Sequence, residues 1–402
     1  MNEIFDLLIL GAGPAGLSAG IYGGRSKLKT AVVDKKGFGG QAATTADLEN
    51  YPGFGPGTTG PGLMEAMAKH AQHFGVNFIR DEIVDVDLKS SPKKLVGKND
   101  FYLGQTVILG PGAEPRMLHC PGERQLWGKG VSYCATCDAE FFTELDVMVV
   151  GSGDAAIEEA MYLTKFCETV TMIVLHDEGI VDANKVSADR AFRNPKIKWI
   201  WNSIAESING EGIVESVTIK NLKTGESYPH ETNGVFIFIG SEPKTEIFRS
   251  SIEVNEHGFI PVSSKMETSR EGVYAAGDAI VKYLRQVITA AADGAIAAVA
   301  AEKYLHESEA FQEEVLEAKL PVWVVYYRPG DVHSMEVSGH LDALSEKHPD
   351  KISILKIDAS RNEFLTKRYG IEQVPCLQVF INGEVKEQVS GSIPDSLVEK
   401  YL

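Results

Sequence analysis

A largely apolar run at 5–10, interrupted by Asp6, leads straight into Gly11-Ala12-Gly13-Pro14-Ala15-Gly16. A helix-compatible stretch follows to Arg25, and a second apolar run, 30–33, ends on Asp34. Strand, glycine turn, helix and strand in that order predict a nucleotide-type βαβ unit. The pattern then recurs. The run 147–150 leads into Gly151-Ser152-Gly153-Asp154-Ala155-Ala156, a helix to about residue 165 and a strand at 170–175. Between 197 and 240 short β-like runs alternate with Gly and Asn turns. A strand at 272–278 ends in Gly277-Asp278, and an alanine-rich helix follows over 287–305.

The stretch 306–320 is charged, carries five Glu and has no glycine, which predicts a helical connector more than a flexible linker. From Pro321 a new pattern begins. It predicts a strand at 322–327, a helix at 334–348, a strand at 352–357 and a helix at 362–369. Val374-Pro375 precedes a strand at 376–381; Asn382-Gly383 makes a hairpin turn, and a strand at 384–389 and a last helix follow. This is a small α/β domain in its own right.

The chain has 402 residues, which suits two or three domains at about 150 residues each. Its 44% hydrophobic and 24% charged residues are those of a globular protein. The net charge of −17 argues against nucleic acid and against anionic membrane as partners, leaving basic or neutral protein surfaces. Glycine, 39 residues, is in excess and clustered, as tight turns against phosphate require. Five cysteines are too few for a disulfide framework, and an odd, sparse count points to a reducing compartment. The first ten residues carry Glu3 and Asp6 and no basic run, and no stretch approaches a membrane span, so a soluble cytoplasmic protein is expected.

The two glycine turns are not equivalent. In the first, Gly11 permits the tight turn, Gly13 lets backbone approach a pyrophosphate and Gly16 lets helix and strand pack closely. The phosphate charge then meets the helix N-terminus. Asp34, 23 residues after Gly11, stands where a carboxylate accepts ribose hydroxyls. In the second unit, with Gly151, Gly153 and Ala156 as its cradle, the corresponding position is Val174. Residues 166–189 hold no Arg and only Lys185, so the residues an NADPH phosphate needs are missing. Two readings stay open: a fold kept for structure, and a working but NADH-type or weakened nucleotide site.

Cys134-Ala135-Thr136-Cys137-Asp138 is the chemical centre. Thiols at i and i+3 fall on one helical turn, and a helix N-terminus lowers the pKa of the leading cysteine. Asp138, next door, is placed to move a proton to a leaving thiol. Half a zinc site and a pair of buried thiols are the alternatives. Zinc needs two further ligands, and the chain has no second CxxC or closely spaced Cys/His pair. Cys120 and Cys167 stand alone and read as inert small hydrophobes.

Over residues 1–306 the chain resembles the low-molecular-weight thioredoxin reductases. The matching motifs are Gly11–Gly16, Gly39-Gly40-Gln41, Glu49-Asn50-Tyr51-Pro52-Gly53, Cys134–Asp138, Ala275-Ala276-Gly277-Asp278 and Arg285-Gln286. The resemblance implies two Rossmann-like domains, one inserted in the other: an FAD-binding domain from 1–115 and 242–306, with the dithiol domain, 116–241, between. It implies FAD contacts at Gly11, Gly13, Pro14, Ala15, Asp34, Gly40, Gln41, Asn50, Gly277, Asp278, Arg285 and Gln286. It also implies that Cys137 faces the flavin, that Cys134 exchanges with the substrate disulfide, and that the protein is a homodimer.

The departures matter equally. Gly110-Pro111-Gly112 replaces the family's Ala-Thr-Gly, and Val174-Leu175-His176 replaces the His-Arg-Arg of NADPH-dependent members. The stretch 170–184 is closer to the NADH-using flavoprotein subunit of alkyl hydroperoxide reductase, whose strand-end Glu would fall on Val174. Some relatives take electrons from ferredoxin, and this chain resembles them in lacking the NADPH residues. Efficient NADPH use is therefore excluded, leaving NADH and ferredoxin as donors.

After a connector at 307–320, residues 321–402 resemble thioredoxin, with Val374-Pro375 at the cis-proline turn. The redox motif of that family falls on Asp331-Val332-His333-Ser334, without either thiol. A docking or dimer-bracing module is the favoured reading, over a new site built from Asp331, His333 and Cys376. The whole chain is expected to be a FAD-dependent disulfide reductase. It would pass electrons through Cys134 and Cys137, with Asp138, to a disulfide on a thioredoxin- or glutaredoxin-like protein. A peroxiredoxin-reducing flavoprotein and a flavin-bound redox-responsive interaction protein are the alternatives.

Overall fold

The computed structural model describes residues 3–44, 48, 50–55 and 57–402. Glu49 of the 49–53 motif lies outside the described residues. The chain divides into two compact units, Met1–Ala300 and Ala301–Leu402.

The first unit opens with β1 (Ile4–Leu10), α1 (Pro14–Arg25), β2 (Thr30–Asp34), α2 (Gly60–His73) and β3 (Asn77–Arg80). The antiparallel strands β4 (Ile83–Asp87), β5 (Lys93–Gly97) and β6 (Phe101–Leu109) follow. Next come β7 (Ala113–Pro115), β8 (Val131–Ser132), α3 (Ala135–Asp138), β9 (Asp146–Val150), α4 (Asp154–Leu163), β10 (Thr169–Ile173), α5 (Lys185–Phe192) and β11 (Ile197–Ile200). A meander of β12 (Ser203–Asn209), β13 (Ser216–Asn221) and β14 (Ser227–Glu231) precedes β15 (Gly234–Ile237), β16 (Ser241–Pro243), β17 (Val273–Ala275) and the first part, to Ala300, of α6 (Val287–Phe311).

The first sheet has the order β3-β2-β1-β6-β5-β4, and β17 joins β6 in parallel, Val273 opposite Val107. Leu7, Leu8 and Ile9 are all fully buried. That is the signature of a parallel strand covered on both faces, and it explains why the run reads as continuously apolar. The second sheet, β11-β10-β9-β15-β8, is parallel throughout. Both connections between the sheets run through one small antiparallel ribbon, where β7 pairs with β16. Arg116–Glu242 and Lys244–Glu114 ion pairs flank it.

The glycine turns are steric requirements. A Cβ at Gly11, whose φ is +97°, would lie 2.1 Å from the Gly110 carbonyl oxygen; one at Gly16 would lie 1.8 Å from the oxygen of Gly11. Gly110, in the run Gly110-Pro111-Gly112, is thus the backbone against which the first turn closes. The strand expected at 272–278 is shorter, Val273–Ala275, because Gly277 at φ +79° turns the chain into a 3-10 helix.

The second unit contains β18 (Val322–Tyr327), α7 (Val332–Lys347), β19 (Ser353–Asp358), α8 (Glu363–Arg368), β20 (Cys376–Ile381), β21 (Glu384–Ser390) and α9 (Asp395–Tyr401). Its sheet has the order β19-β18-β20-β21, with β18 and β19 parallel and the rest antiparallel. Trp323 and Tyr326 are fully buried in this sheet, and the Tyr326 hydroxyl donates to Gln378 Oε1 at 3.2 Å. The Val374–Pro375 peptide is cis. Helix α7 starts two residues earlier than the pattern predicts, because the Asp331 carboxylate accepts the Ser334 N–H at 2.7 Å and caps it. The fold is therefore α/β, with two Rossmann-like sheets and a C-terminal thioredoxin-type sheet.

Candidate functional site

At the first turn Gly13 caps α1 and Pro14 occupies its first position, where a missing N–H costs nothing. Asp34 holds the turn: its carboxylate accepts the Ala12 N–H at 2.9 Å and the Lys36 and Gly37 N–H groups at 2.8 and 3.2 Å. Gly40 (φ +56°) packs backbone to backbone on Gly13, so that a Cβ on it would sit 3.2 Å from the Gly13 Cα. Gln41 donates its side-chain amide to the Ala113 carbonyl. A Cβ on Gly277 would come within 3.1 Å of Ala15 Cβ. Residues from three distant stretches of sequence thus converge on a surface almost free of side chains.

Asp278 lies beside that surface. Its carboxyl is pushed above the usual range by burial, against the opposing pull of Lys282 and Arg285. Its Oδ1 is buried without a hydrogen-bond partner. A native protein rarely leaves such an oxygen unpaired, and a polyhydroxylated ligand would satisfy it. The side-chain-free cradle and this orphaned acceptor fit FAD. Arg285 donates to the carbonyls of Asp278 (3.2 Å) and Ile280 (3.4 Å) and lies 4.2 Å from the Phe259 ring centre. Two residues that pattern reading missed support this loop. Lys282 and Asp293 form a buried ion pair, and Asp293 also accepts the Gly277 N–H at 3.1 Å. The available signal was a lone Asp inside the apolar 287–305 helix.

Cys134 and Cys137 are joined as a disulfide across α3, with Cα atoms 5.3 Å apart. Cys134 caps the helix. Ser132 Oγ donates to Asp138 Oδ2 at 2.5 Å and accepts the Cys134 N–H at 3.1 Å. Burial pushes the Asp138 carboxyl up, and the Ser132 hydrogen bond offsets part of that. Sequence reading missed Ser132, and it also missed Glu159 on α4. The Glu159 carboxyl, raised by burial, has the Thr136 backbone N–H as a partner, while its Oε2 is buried and unpaired.

Gln286 brings the two halves of the site together. It stands at the start of α6, its N–H bonded to Thr289 Oγ1 at 3.2 Å. Its amide nitrogen lies 3.6 Å from Cys134 Sγ and donates to Thr136 Oγ1 at 3.1 Å; its Oε1 lies 3.9 Å from Cys137 Sγ and accepts from Asn50 at 3.1 Å. The disulfide is thus docked on the loop that carries Gly277, Asp278 and Arg285.

At the second turn Gly151 has φ +134°, Gly153 caps α4 and Ala156 is fully buried. Val174 is fully buried, whereas Leu175 and Ile180 are exposed. In the second unit, Asp331 is occupied by Ser334, and His333 lies 3.4 Å from Glu336. Cys376 is buried, its thiol pushed up by burial, with Ser390 as its hydrogen-bond partner. These interactions hold Asp331, His333 and Cys376 to separate partners. Burial raises the Cys120 and Cys167 thiols to about 11 each.

Among the described residues no helix is long and apolar enough to cross a membrane. The family described as pyridine nucleotide-disulphide oxidoreductase matches residues 5–294, and the thioredoxin family matches residues 302–402. A thioredoxin reductase from Peptoclostridium acidaminophilum is 49% identical over 76% of this chain and 98% of its own length. The bifunctional thioredoxin reductase/thioredoxin of Mycobacterium leprae is 32% identical over 97% of this chain and 94% of its own. The crystal structure of thioredoxin reductase from Streptococcus pyogenes superimposes with a TM-score of 0.72, at 39% identity, over 76% of this chain and 100% of that one. With its glycine cradle, docked dithiol and C-terminal thioredoxin-type sheet, the chain belongs to the low-molecular-weight thioredoxin reductase family, as an FAD-dependent disulfide oxidoreductase fused to a thioredoxin domain.

Proposed function

We propose that electrons pass from FAD to the Cys134–Cys137 disulfide and on to a disulfide of a separate thioredoxin- or glutaredoxin-like protein, and that they are supplied by a donor other than NADPH, namely NADH or reduced ferredoxin. The observation that carries the reading is the contact of Gln286 with both sulfurs from the loop bearing Asp278 and Arg285. Gly11, Gly13, Pro14, Ala15, Asp34, Gly40, Gln41, Asn50, Gly277, Asp278, Arg285 and Gln286 would hold FAD, which when bound would supply the two-electron reducing equivalent. Opening Cys134–Cys137 takes up two electrons and two protons, and the Asp138 carboxyl, favoured in its neutral form by burial, holds a proton beside the leaving thiol. The Cys134 thiolate attacks the partner disulfide, releasing one partner thiolate. Cys137 then resolves the mixed disulfide and frees the second.

One dithiol cannot touch flavin and a bulky protein at once. The dithiol domain, 116–241, therefore rotates against the FAD domain of 1–115 and 242–306. The β7–β16 ribbon, where both connections run side by side, supports those limits. The apolar Val174, Leu175 and Ile180 beside the second turn support a donor other than NADPH. The module at 321–402, joined by 307–320, serves docking. Exposed Val332 and Met335 beside Asp331 support that role. The decisive test is Cys134→Ser, which abolishes thioredoxin reduction while FAD stays bound and reducible. Retained turnover in that variant would overturn the assignment.

A further inference from the structure

Asp278 stands between two cations, and neither reaches its Oδ1. That oxygen is buried without a hydrogen-bond partner, although Lys282 and Arg285 both pull on the carboxyl against its burial and against the charge of Asp293. Each cation is engaged elsewhere. The Arg285 guanidinium is bonded to the Asp278 and Ile280 carbonyls and faces the Phe259 ring. The Lys282 ammonium is turned instead to Asp293 on α6, and the two side chains are only 11% and 12% exposed.

Asp293 is fixed by the packing of its helix. One residue further on, a Cβ at Gly294 would lie 2.0 Å from the Ala15 carbonyl oxygen, so α6 meets α1 backbone to backbone beside the first glycine turn. Asp293 Oδ2 accepts the Gly277 N–H at 3.1 Å as well as the Lys282 ammonium. One carboxylate thus ties both ends of the 277–282 loop to a helix locked against α1. Removing one partner of a buried pair leaves the other charge uncompensated. A freed Lys282 would have the Asp278 carboxyl within its field, and a lysine carries its compact charge on a flexible stem that can be re-aimed. An ammonium–carboxylate hydrogen bond is charge-assisted and stronger than one from a neutral ligand hydroxyl. Lys282 would then occupy the acceptor that the cofactor needs.

We propose that Asp293 is a positioning residue of the cofactor site: by holding Lys282 it keeps the Asp278 Oδ1 acceptor free for FAD. This rests on the reading of Asp278 as a cofactor acceptor and adds the residue that keeps that acceptor open. The experiment is equilibrium dialysis of the FAD-loaded enzyme, with flavin retained per chain read in the parent, Asp293→Asn, Lys282→Met/Asp293→Asn and Asp278→Ala. Asparagine keeps an acceptor for the Gly277 N–H and gives up the charge that holds Lys282. Asp293→Asn is expected to raise the FAD dissociation constant about tenfold, and adding Lys282→Met to return it to within about twofold of the parent, as strong coupling between neighbours requires. An Asp293 that served packing alone would show no rescue, because the second substitution would only add to the damage. Circular dichroism checks folding, and Asp293→Thr, whose hydroxyl also accepts without charge, takes the place of the asparagine variant if that one does not fold. Parental FAD retention in the folded single variant would overturn the proposal, and so would a double variant that holds FAD no better than the single one. Asp278→Ala separates the two readings. Full retention there would overturn Asp278 as the cofactor acceptor, whereas loss of FAD there without rescue by Lys282→Met would overturn the role of Asp293 alone.

Discussion

Ser132 Oγ reaches Asp138 Oδ2 at 2.5 Å, placing a hydroxyl donor on a carboxyl beside the redox disulfide. Burial favours the neutral acid, whereas the hydroxyl favours the carboxylate. Removing the hydroxyl therefore moves the titration upward. Ser132→Ala is expected to raise the pH at which Asp138 titrates, because the hydrogen bond it removes favours the charged carboxylate. The pH profile of thioredoxin reduction measures it, and an unmoved or lowered limb would show that Asp138 does not govern the step.

Stability gives the same pair a second readout. A carboxyl whose folded pKa is raised is most compatible with the native state below its unfolded pKa, and stability falls as pH rises through the folded value. At neutral pH the folded protein bears that cost. Asp138→Asn keeps an acceptor for Ser132 and cannot ionise, so it is expected to raise the melting temperature at pH 7 while slowing disulfide exchange. Thermal unfolding of the FAD-loaded protein at pH 5 and pH 8 checks the sign, since the gain should be larger at the higher pH.

Gln286 is the only described side chain for which contacts to both redox sulfurs are found. Gln286→Leu keeps the bulk and removes the amide. It is expected to slow reduction of the disulfide from the flavin by at least tenfold with flavin content little changed. Anaerobic rapid mixing, following flavin absorbance after reduction by dithionite, isolates that step. Unaltered flavin reoxidation would mean that the amide does not hold the disulfide in place.

How much of this was legible in the sequence depended on the distance over which each feature is encoded. The two glycine turns and the CxxC pair are local: spacing along a strand, turn and helix fixes their geometry, and both turns form where the pattern puts them. The place of Asp34 at the end of β2 was readable for the same reason, whereas its hold on the Ala12, Lys36 and Gly37 N–H groups was not. Ser132 and Glu159 were not, because their partners are set by packing rather than spacing. The Lys282–Asp293 pair was hidden by an alanine-rich helix whose hydropathy masks one buried charge.

Asp278 offers a test of the cofactor cradle that does not depend on turnover. Its buried, unpartnered Oδ1 is an acceptor awaiting a donor, and an unpaired buried polar group costs roughly 1–3 kcal/mol. Asp278→Ala removes the acceptor and is expected to weaken FAD binding by about tenfold to a hundredfold, by the usual conversion of free energy to affinity. Flavin retained per chain after dialysis measures it. Full retention would place the orphaned oxygen outside the cofactor site.

The cysteines outside the dithiol make the last prediction. A thiol titrating at about 11, as Cys120 and Cys167 do, has roughly one thiolate in ten thousand molecules at pH 7. Cys376 is raised by the same cause and is almost wholly buried. Its unit contains no second cysteine, so it has no intramolecular partner there with which to form a disulfide. Brief alkylation of the reduced native enzyme at neutral pH should therefore label Cys134 first, Cys137 more slowly, and leave Cys167 and Cys376 unlabelled until the protein is unfolded. Peptide mass mapping reads the order directly. Rapid native labelling of Cys376 would mean that the C-terminal unit presents a reactive thiol after all, and would replace docking with exchange chemistry as its role.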